Sequence, residues 1–228
     1  MKLLFIHGSG APGAFWYYQT SYFQDSEAPS LPGHPEGQPC TSVEDYTDWL
    51  RGYIHDKGYQ GVVLAGHSLG GAVALKYALQ CPEDLNGLIL LGTGARLRVH
   101  PMMLTMCAEG IKDREGWAKS FELQYANIPP EIASKLGQAM MEIGPAVQLS
   151  DLLCCDKFDV MNEIHQIKLP TLVICGSEDT NTPVKYSQYL VNNIEGAKQV
   201  IIEGGTHVVA VEKPHEVNQA IEEFVCSL

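Results

Sequence analysis

Five short runs of continuous apolar residues constrain the fold of this chain more than any other feature. The runs are LLFIH (3–7), GVVLAG (61–66), GLILLG (87–92), TLVICG (171–176) and QVIIEG (199–204). A continuous apolar run indicates a strand that is buried on both faces, as in a parallel sheet that lies between two layers of helices. Segments with helical spacing of their apolar residues separate the runs. The alternation therefore predicts a doubly wound α/β domain.

Residues 95–165 interrupt this alternation, because several helical patterns follow one another there without a strand-like run. Six of the seven methionines fall in or beside this segment. Methionine is flexible and apolar, so it suits both ordinary helix packing and a soft apolar lid. We therefore expect a core made of residues 1–94 and 166–228, with residues 95–165 inserted as a helical cap at the carboxyl ends of the strands.

The segment Gly66-His67-Ser68-Leu69-Gly70 fits the pattern G-x-S-x-G, and no other serine of the chain does. The segment follows an apolar run and precedes an alanine-rich helical pattern. On a tight strand-to-helix turn the Ser68 hydroxyl would stand above the sheet, and flanking glycines would avoid collisions with neighbouring elements. The N–H of Leu69 would then lie at a helix N-terminus as one half of an oxyanion hole. The pattern alone is also compatible with a plain turn.

A serine hydroxyl needs a base to take its proton. Eight histidines are present, and His207 is the candidate because it follows the last apolar run and so belongs to the same end of the sheet as Ser68. His67 lies beside Ser68 in sequence, but its side chain must leave the turn in another direction, and we expect it to pack. His55 and His215 are expected to be exposed.

The base in turn needs an acid that fixes its tautomer and stabilises the imidazolium. Asp179 lies in a loop just after an apolar run, and its neighbour Glu178 is the main alternative because only one of the two side chains should face the site. Helix capping, the other role open to an acid here, suits Thr182 better since it precedes Pro183. The acids Asp151, Asp156 and Asp159 are weaker candidates.

A rival interpretation comes from Gly8-Ser9-Gly10-Ala11-Pro12-Gly13, which matches the dinucleotide-binding pattern G-x-G-x-x-G after a strand. That fold requires a helix and then a second strand that ends in an acid about 20 residues on. Acids occur at positions 25 and 27, but no apolar strand precedes them. Nucleotide binding is therefore disfavoured, and the sequence shows no phosphate loop and no metal-ligand cluster. We expect neither a cofactor nor a metal.

Charge and cysteine content limit the partners and the compartment. The chain has 15 Lys and Arg against 27 Asp and Glu, a formal net charge of −12, which disfavours nucleic acid and anionic membranes as partners. No secretion signal or membrane-spanning run is visible. Seven scattered cysteines indicate reduced thiols and a cytoplasmic location. The sequence leaves the oligomeric state open.

Taken together, these motifs resemble the α/β-hydrolase superfamily, in particular its small esterases, lactonases and C–C hydrolases with a helical cap. The matching pieces are FIHGSG, LPGHPEG, GHSLGG, GSEDTNTP and GGTHVVAVEKP. The resemblance implies a mostly parallel sheet of about six strands that lacks the family's N-terminal strand pair. It also implies a triad in the order Ser68, Asp179, His207, with the N–H of Ser9 as the second oxyanion donor beside that of Leu69.

The expected activity is hydrolysis of small to medium carboxylic esters through an acyl-enzyme on Ser68. A lactonase, a thioesterase or a C–C bond hydrolase would use the same triad, because the pocket and not the triad decides among them. An alternative of another class is a ligand receptor that keeps the triad and turns over slowly. Arg96 and Arg98, at the start of the predicted cap, either meet a substrate carboxylate or serve as surface charges.

Overall fold

A parallel six-stranded sheet lies at the centre of the structure, a computed structural model that describes residues 1–122, 125 and 127–228. The strands are β1 (Leu3–Ile6), β2 (Ser26–Glu27), β3 (Val62–His67), β4 (Leu85–Leu91), β5 (Thr171–Gly176) and β6 (Lys198–Ile202). Their order across the sheet is β2-β1-β3-β4-β5-β6, and every pairing is parallel. The expectation of a mostly parallel sheet of about six strands is confirmed.

Strand β2 is the strand that the apolar runs did not indicate. It has two half-buried residues, and it pairs at the sheet edge with Leu3 and Leu4 of β1. An edge strand has a neighbour on one side only, so it does not need a continuous apolar sequence. Strand β2 itself contains Glu27, one of the two acids before which the sequence showed no apolar strand.

Helices cover both faces of the sheet. They are α1 (Tyr17–Tyr22), α2 (Val43–Asp56), α3 (Leu69–Gln80), α4 (Pro101–Gly110), α5 (Arg114–Glu122), α6 (Pro130–Ile143), α7 (Pro145–Lys157), α8 (Val184–Asn193), α9 (Val209–Glu212) and α10 (Pro214–Val225). Neighbouring residues of β1 point to opposite sides: Leu4 packs in one buried cluster with α2, α3 and α8, and Phe5 packs in another with α10. This alternation is the doubly wound arrangement that the sequence predicted.

Four helices, α4 to α7, lie between β4 and β5, in the stretch predicted to be a cap. Within the described residues of that stretch, the extended contact is a single antiparallel bridge between Arg96 and Asp159. Helix α7 contributes to both buried clusters, through Cys155 on one side and Leu152 on the other. It therefore packs into the body of the protein. The division at residues 95 and 165 stays a prediction.

No helix in the described ranges combines the length and the apolar character that crossing a lipid bilayer requires.

Candidate active site

Ser68 occupies a strained turn between β3 and α3. Its backbone has φ 53° and ψ −114°, and it is the one non-glycine residue with positive φ in the described part of the chain. The turn is fixed from β4, since the Ser68 N–H donates to the Leu91 carbonyl at 3.1 Å and the Thr93 hydroxyl donates to the Ser68 carbonyl at 2.9 Å. A non-glycine residue whose backbone is held in this sparsely populated conformation indicates a functional position.

The glycines around Ser68 are required by close backbone approaches. A Cβ on Gly66 would collide with the carbonyl of Gly70, and a Cβ on Gly70 would collide with the carbonyl of Ile6 in β1. Helix α3 therefore begins directly against the sheet. The G-x-S-x-G spacing thus reflects packing at this turn, as the sequence pattern suggested.

Asp179 and His207 come from two loops and form a hydrogen-bonded pair, with Oδ2 and Nδ1 2.8 Å apart. The Asp179 side chain is fully buried, and its Oδ1 accepts the backbone N–H groups of Asn181 and Thr182, each at 2.8 Å. Burial by itself would raise the pKa of Asp179. The charge of His207 and the hydrogen bonds from His207 and Thr182 outweigh that effect and hold the pKa well below its usual range. Asp179 is therefore an anion that faces His207.

Thr182 contacts the Asp179–His207 pair and does not cap a helix, so the prediction that it caps one was wrong. Helix α8 begins at Val184 with Pro183 before it, and no side chain caps its start. The Thr182 hydroxyl instead donates to Asp179 Oδ2 at 2.7 Å and lies 3.2 Å from His207 Nδ1. Glu178, the alternative acid, has an exposed side chain.

His67 is buried and supports the backbone of the neighbouring loop. Its Nε2 lies 2.9 Å from the His207 carbonyl, and its ring stacks on Phe15 with centroids 4.5 Å apart. Burial, together with repulsion from His207, lowers the pKa of His67 to about 3. A neutral His67 therefore donates to the His207 carbonyl and holds that loop in place, in agreement with the packing role expected for it.

Ser68 and His207 line the same two cavities. One has a volume of about 110 Å³ and the other about 460 Å³. His207 Nδ1 is hydrogen-bonded to Asp179. Neither Ser68 Oγ nor His207 Nε2 has a hydrogen-bond partner among the residues that the structure describes. Catalytic hydrogen bonds are often loose without substrate and tighten in the complex. The free hydroxyl and the free ring nitrogen thus both border the space that a substrate would fill.

Two backbone N–H groups are available beside Ser68. Leu69 is the first residue of α3, where an N–H has no acceptor within the helix. Ser9 follows β1 and lines the smaller cavity with Ser68. In the described part of the chain neither of these N–H groups donates a hydrogen bond. The loop approaches closely, since a Cβ on Gly8 would lie 3.2 Å from the Ser68 Cβ.

A second Asp–His pair supports the loop that carries Ser9. Asp151 of α7 accepts the Gly10 N–H at 2.8 Å and the Tyr46 hydroxyl at 2.7 Å, and its Oδ2 lies 2.9 Å from His34 Nε2. The Asp151 and His34 side chains are both fully buried. Burial by itself would lower the pKa of His34, but the hydrogen bond and charge of Asp151 outweigh it and raise that pKa. Sequence reasoning considered Asp151 only as a weak candidate for the triad.

His7 holds the same loop from its other side. Its Nε2 accepts the Leu31 N–H at 2.9 Å, so its Nδ1 carries the proton and donates to the Gly8 carbonyl at 2.9 Å. Burial, followed by repulsion from His34, lowers the pKa of His7 to about 3, which keeps the ring neutral. His7, His34 and Asp151 together fix the backbone on either side of Ser9.

In the described part of the chain, the acid that the rival interpretation would assign to a nucleotide is engaged elsewhere, and no cluster of side chains suits a metal ion. Glu27, the acid that would meet a ribose in the rival interpretation, accepts hydrogen bonds from the hydroxyls of Tyr53 and Tyr59 at 2.7 and 2.6 Å and pairs with Lys2. Within residues 1–122, 125 and 127–228, no group of three or more His, Cys, Asp or Glu side chains is arranged to hold a metal ion.

Comparison with known proteins defines the class. Residues 3–220 match the sequence profile of the α/β hydrolase family, so the chain belongs to that family. It is 28% identical to 3-oxoadipate enol-lactonase 2 of Acinetobacter baylyi, over 96% of this chain and 86% of that protein. It is 24% identical to (E)-2-((N-methylformamido)methylene)succinate hydrolase of the same organism, over 98% and 89%. A solved thermophilic esterase is 33% identical, with a TM-score of 0.82 and coverage of 99% of this chain and 90% of that one.

These findings establish the α/β-hydrolase fold and a family of hydrolases. The names of these relatives denote different hydrolytic activities, and the comparisons therefore support hydrolase chemistry in general.

Proposed function

We propose that this protein is a serine hydrolase that cleaves small to medium carboxylic esters through an acyl-enzyme on Ser68. In this mechanism His207 Nε2 takes the hydroxyl proton while Ser68 Oγ attacks the ester carbonyl. The N–H groups of Ser9 and Leu69 hold the oxyanion, and His207 then gives the proton to the leaving alcohol. Asp179 fixes the ring with its proton on Nδ1 and stabilises the imidazolium.

Water completes the cycle by the same groups. His207 takes a proton from a water molecule, and the resulting hydroxide attacks the acyl carbonyl in the same oxyanion hole. Collapse of the tetrahedral intermediate breaks the bond to Ser68 Oγ, which recovers its proton from His207. The products are the free acid and the unmodified enzyme, so no cofactor is required.

The observation that carries the proposal is the position of the Asp179–His207 pair. Asp179 Oδ2 and His207 Nδ1 are hydrogen-bonded at 2.8 Å. His207 borders the same cavities as Ser68, whose strained backbone holds its hydroxyl there. An Asp–His pair that borders the same cavity as a serine hydroxyl supports activation of that hydroxyl by the histidine.

The shape of the smaller cavity favours a short acyl group. Its volume is about 110 Å³, and its walls include Met103, Met106 and Met140 from the segment that we propose as the cap. Flexible thioether side chains form an apolar surface that adapts to small changes in acyl shape. A lactone, a thioester or an activated carbon–carbon bond would meet the same triad, so the comparison of substrates has to separate these reactions.

The test is multiple turnover of p-nitrophenyl esters of increasing acyl length by the wild-type protein and by Ser68→Ala. We expect sustained turnover that is fastest for the shortest acyl groups, and a loss of about 10⁴-fold or more in kcat for Ser68→Ala. Ser21→Ala, an exposed serine of α1, is the matched control and should behave as wild type.

Two results would contradict the proposal. Full esterase activity in Ser68→Ala would remove Ser68 as the nucleophile. A single burst with a stable acyl-protein would instead favour the ligand receptor.

The cytoplasm is the location that we propose. All seven cysteines are free, from half-buried Cys40 to exposed Cys226. Unpaired thiols in this number fit a reducing compartment.

A further inference from the structure

The larger cavity beside Ser68 and His207 has a positive lining. Arg98 and Lys185 contribute to it, and none of the described residues that line it is an aspartate or a glutamate. The chain as a whole has a formal net charge of −12. A concave surface with charge opposite to that of the whole molecule concentrates ligands of the matching sign, which here are anions.

The two permanent cations of this cavity have no acidic partner. In the described ranges, neither Arg98 nor Lys185 lies within 4.0 Å of a carboxylate oxygen. Arg96, by contrast, pairs with Asp159 at 3.3 Å. Of the two arginines that the sequence offered for a carboxylate, Arg98 is therefore the free one.

The backbone on both sides of Arg98 is anchored. The Leu97 N–H donates to the Phe158 carbonyl at 3.3 Å, and the Val99 N–H donates to Asp156 at 3.2 Å. Asp156 and Asp159 are thus acids that face this segment, and the Asp156 carboxylate accepts the backbone N–H of Val99 while Asp159 pairs with Arg96. The Arg98 side chain extends from a fixed base, which limits the positions that its guanidinium reaches.

Lys185 lines the same cavity as Arg98 from a separate element. It is in the first turn of α8, where unpaired N–H groups add a partial positive charge. Arg98 and Lys185 also line a second cavity of about 430 Å³, together with Tyr186, so the positive surface continues away from Ser68. An anionic group that extends beyond the ester into the larger cavity would enter a space that both side chains line.

The smaller cavity differs in composition. Its lining contains Gly8 and Ser9 of the oxyanion loop and is otherwise mostly apolar, and no lysine or arginine is among its described lining residues. Because the oxyanion loop borders this cavity, it suits the acyl part of an ester. The larger, positive cavity then receives the alcohol part.

We infer that the alcohol part of the substrate carries a carboxylate, which Arg98 and Lys185 bind, while the acyl part is short and uncharged. This inference rests on the proposed function, because it assigns the two parts of an ester to the two cavities. It makes Arg98 and Lys185 determinants of specificity, with no role in proton transfer.

The experiment compares 4-carboxyphenyl acetate with the neutral 4-carbamoylphenyl acetate, each corrected for its spontaneous hydrolysis. We expect kcat/KM to favour the carboxylate by about tenfold at low salt. Because exposed ion pairs are weak, Arg98→Gln and Lys185→Gln should each reduce that ratio by about threefold. The ratio should also shrink as salt is raised from about 0.02 M to about 0.5 M, where screening is stronger.

Lys57→Gln is the matched control, since it removes one exposed positive charge directly after α2 that lines none of these cavities. It should keep the wild-type ratio. A ratio near one in the wild type, or a ratio that Arg98→Gln and Lys185→Gln both leave unchanged, would overturn the inference. So would a preference for monophenyl succinate over phenyl butyrate, because it would place the anion on the acyl side.

Binding separates this inference from the proposed function. Calorimetry should show that 4-hydroxybenzoate binds about tenfold more tightly than 4-hydroxybenzamide, and that the doubly substituted Arg98→Gln, Lys185→Gln protein loses this difference. If neither ester is hydrolysed but the anion still binds through these residues, the esterase proposal fails and the anion site stands. If the neutral ester is hydrolysed and the anion has no advantage in either assay, the anion site fails alone.

Discussion

Two Asp–His pairs lie at or near the candidate site, and the distances between their carboxylate oxygen and ring nitrogen are almost equal. Asp179 and His207 are 2.8 Å apart, and Asp151 and His34 are 2.9 Å apart. Both aspartates are fully buried. The pairs differ in what the histidine reaches, because the His207 side chain is 12% exposed and borders the cavities beside Ser68, whereas His34 is fully enclosed.

The difference extends to the partners of the aspartates. Asp179 is held by Thr182 and its own loop, so its hydrogen bonds orient a ring that is free to exchange a proton. Asp151 binds Gly10 and Tyr46, which come from distant segments of the chain, so its hydrogen bonds join α7 to the loop after β1. The same chemical pair thus suits proton transfer in one place and the positioning of a loop in the other.

The largest contrast should appear when each histidine is replaced. His207→Gln removes the proposed base and should lower kcat for a p-nitrophenyl ester by about 10⁴-fold or more. His34→Gln leaves Ser68, His207 and Asp179 intact and should lower kcat by no more than about tenfold, through a less well-held oxyanion loop. Steady-state kinetics on variants with native circular dichroism measure both effects. Equal losses in kcat would mean that the two pairs do not have these different roles.

The Asp151–His34 pair should matter more for stability than for catalysis. Asp151→Asn removes a charge that serves His34, Gly10 and Tyr46 inside the protein, and we expect it to lower the free energy of unfolding by about 3 kcal/mol. Asp156→Asn, a half-buried acid on the same helix, is the control and should cost about 1 kcal/mol or less. Urea unfolding followed by fluorescence measures both. A variant Asp151→Asn as stable as wild type would show that the network has no structural importance.

The smallest effect concerns the pH dependence of stability, and it has opposite sign for the two pairs. The pKa of His34 is raised above 6.5, so its stabilisation is complete below pH 6.5 and is lost as pH rises through the folded-state pKa. The pKa of Asp179 is lowered below 3.8, so its stabilisation is present above pH 3.8 and is lost as pH falls.

Urea unfolding at several pH values tests these signs. The stability difference between wild type and His34→Gln should shrink as pH rises above 6.5, and the difference between wild type and Asp179→Asn should shrink as pH falls below 3.8. A difference for His34→Gln that grows with rising pH would contradict the assignment.

Much of the fold and three of the site residues follow from local sequence signals. Continuous apolar runs predict β1, β3, β4 and β5, because strands buried on both faces have no polar side to alternate with. The run QVIIEG also predicts β6, but the expectation that this strand is buried on both faces was wrong, because β6 lies at the sheet edge with Ile201 exposed. Ser68 is recognisable because the glycines that its turn needs are adjacent in sequence. Asp179 and His207 are recognisable because each follows an apolar run, and the carboxyl ends of parallel strands lie at one end of the sheet.

What the sequence did not reveal depends on contacts between distant residues. Asp151 meets Gly10 and Tyr46 across 141 and 105 residues of chain, and no local pattern links these positions. Thr182 precedes a proline in the manner of a helix cap, but Asp179 offers its hydroxyl a charged acceptor, which is the stronger hydrogen bond. Strand β2 lacks an apolar run because it consists of two half-buried residues at the sheet edge.

The rate at which a fluorophosphonate labels Ser68 tests the central claim most directly, because that reaction uses the activated hydroxyl and needs no knowledge of the substrate. Mass spectrometry would follow the labelled peptide in wild type, Asp179→Asn and Asp151→Asn. The account predicts one label per chain, on Ser68, with a rate that falls by about 10³-fold or more in Asp179→Asn and stays within about tenfold of wild type in Asp151→Asn. A label on another residue, or a larger loss in Asp151→Asn than in Asp179→Asn, would contradict it.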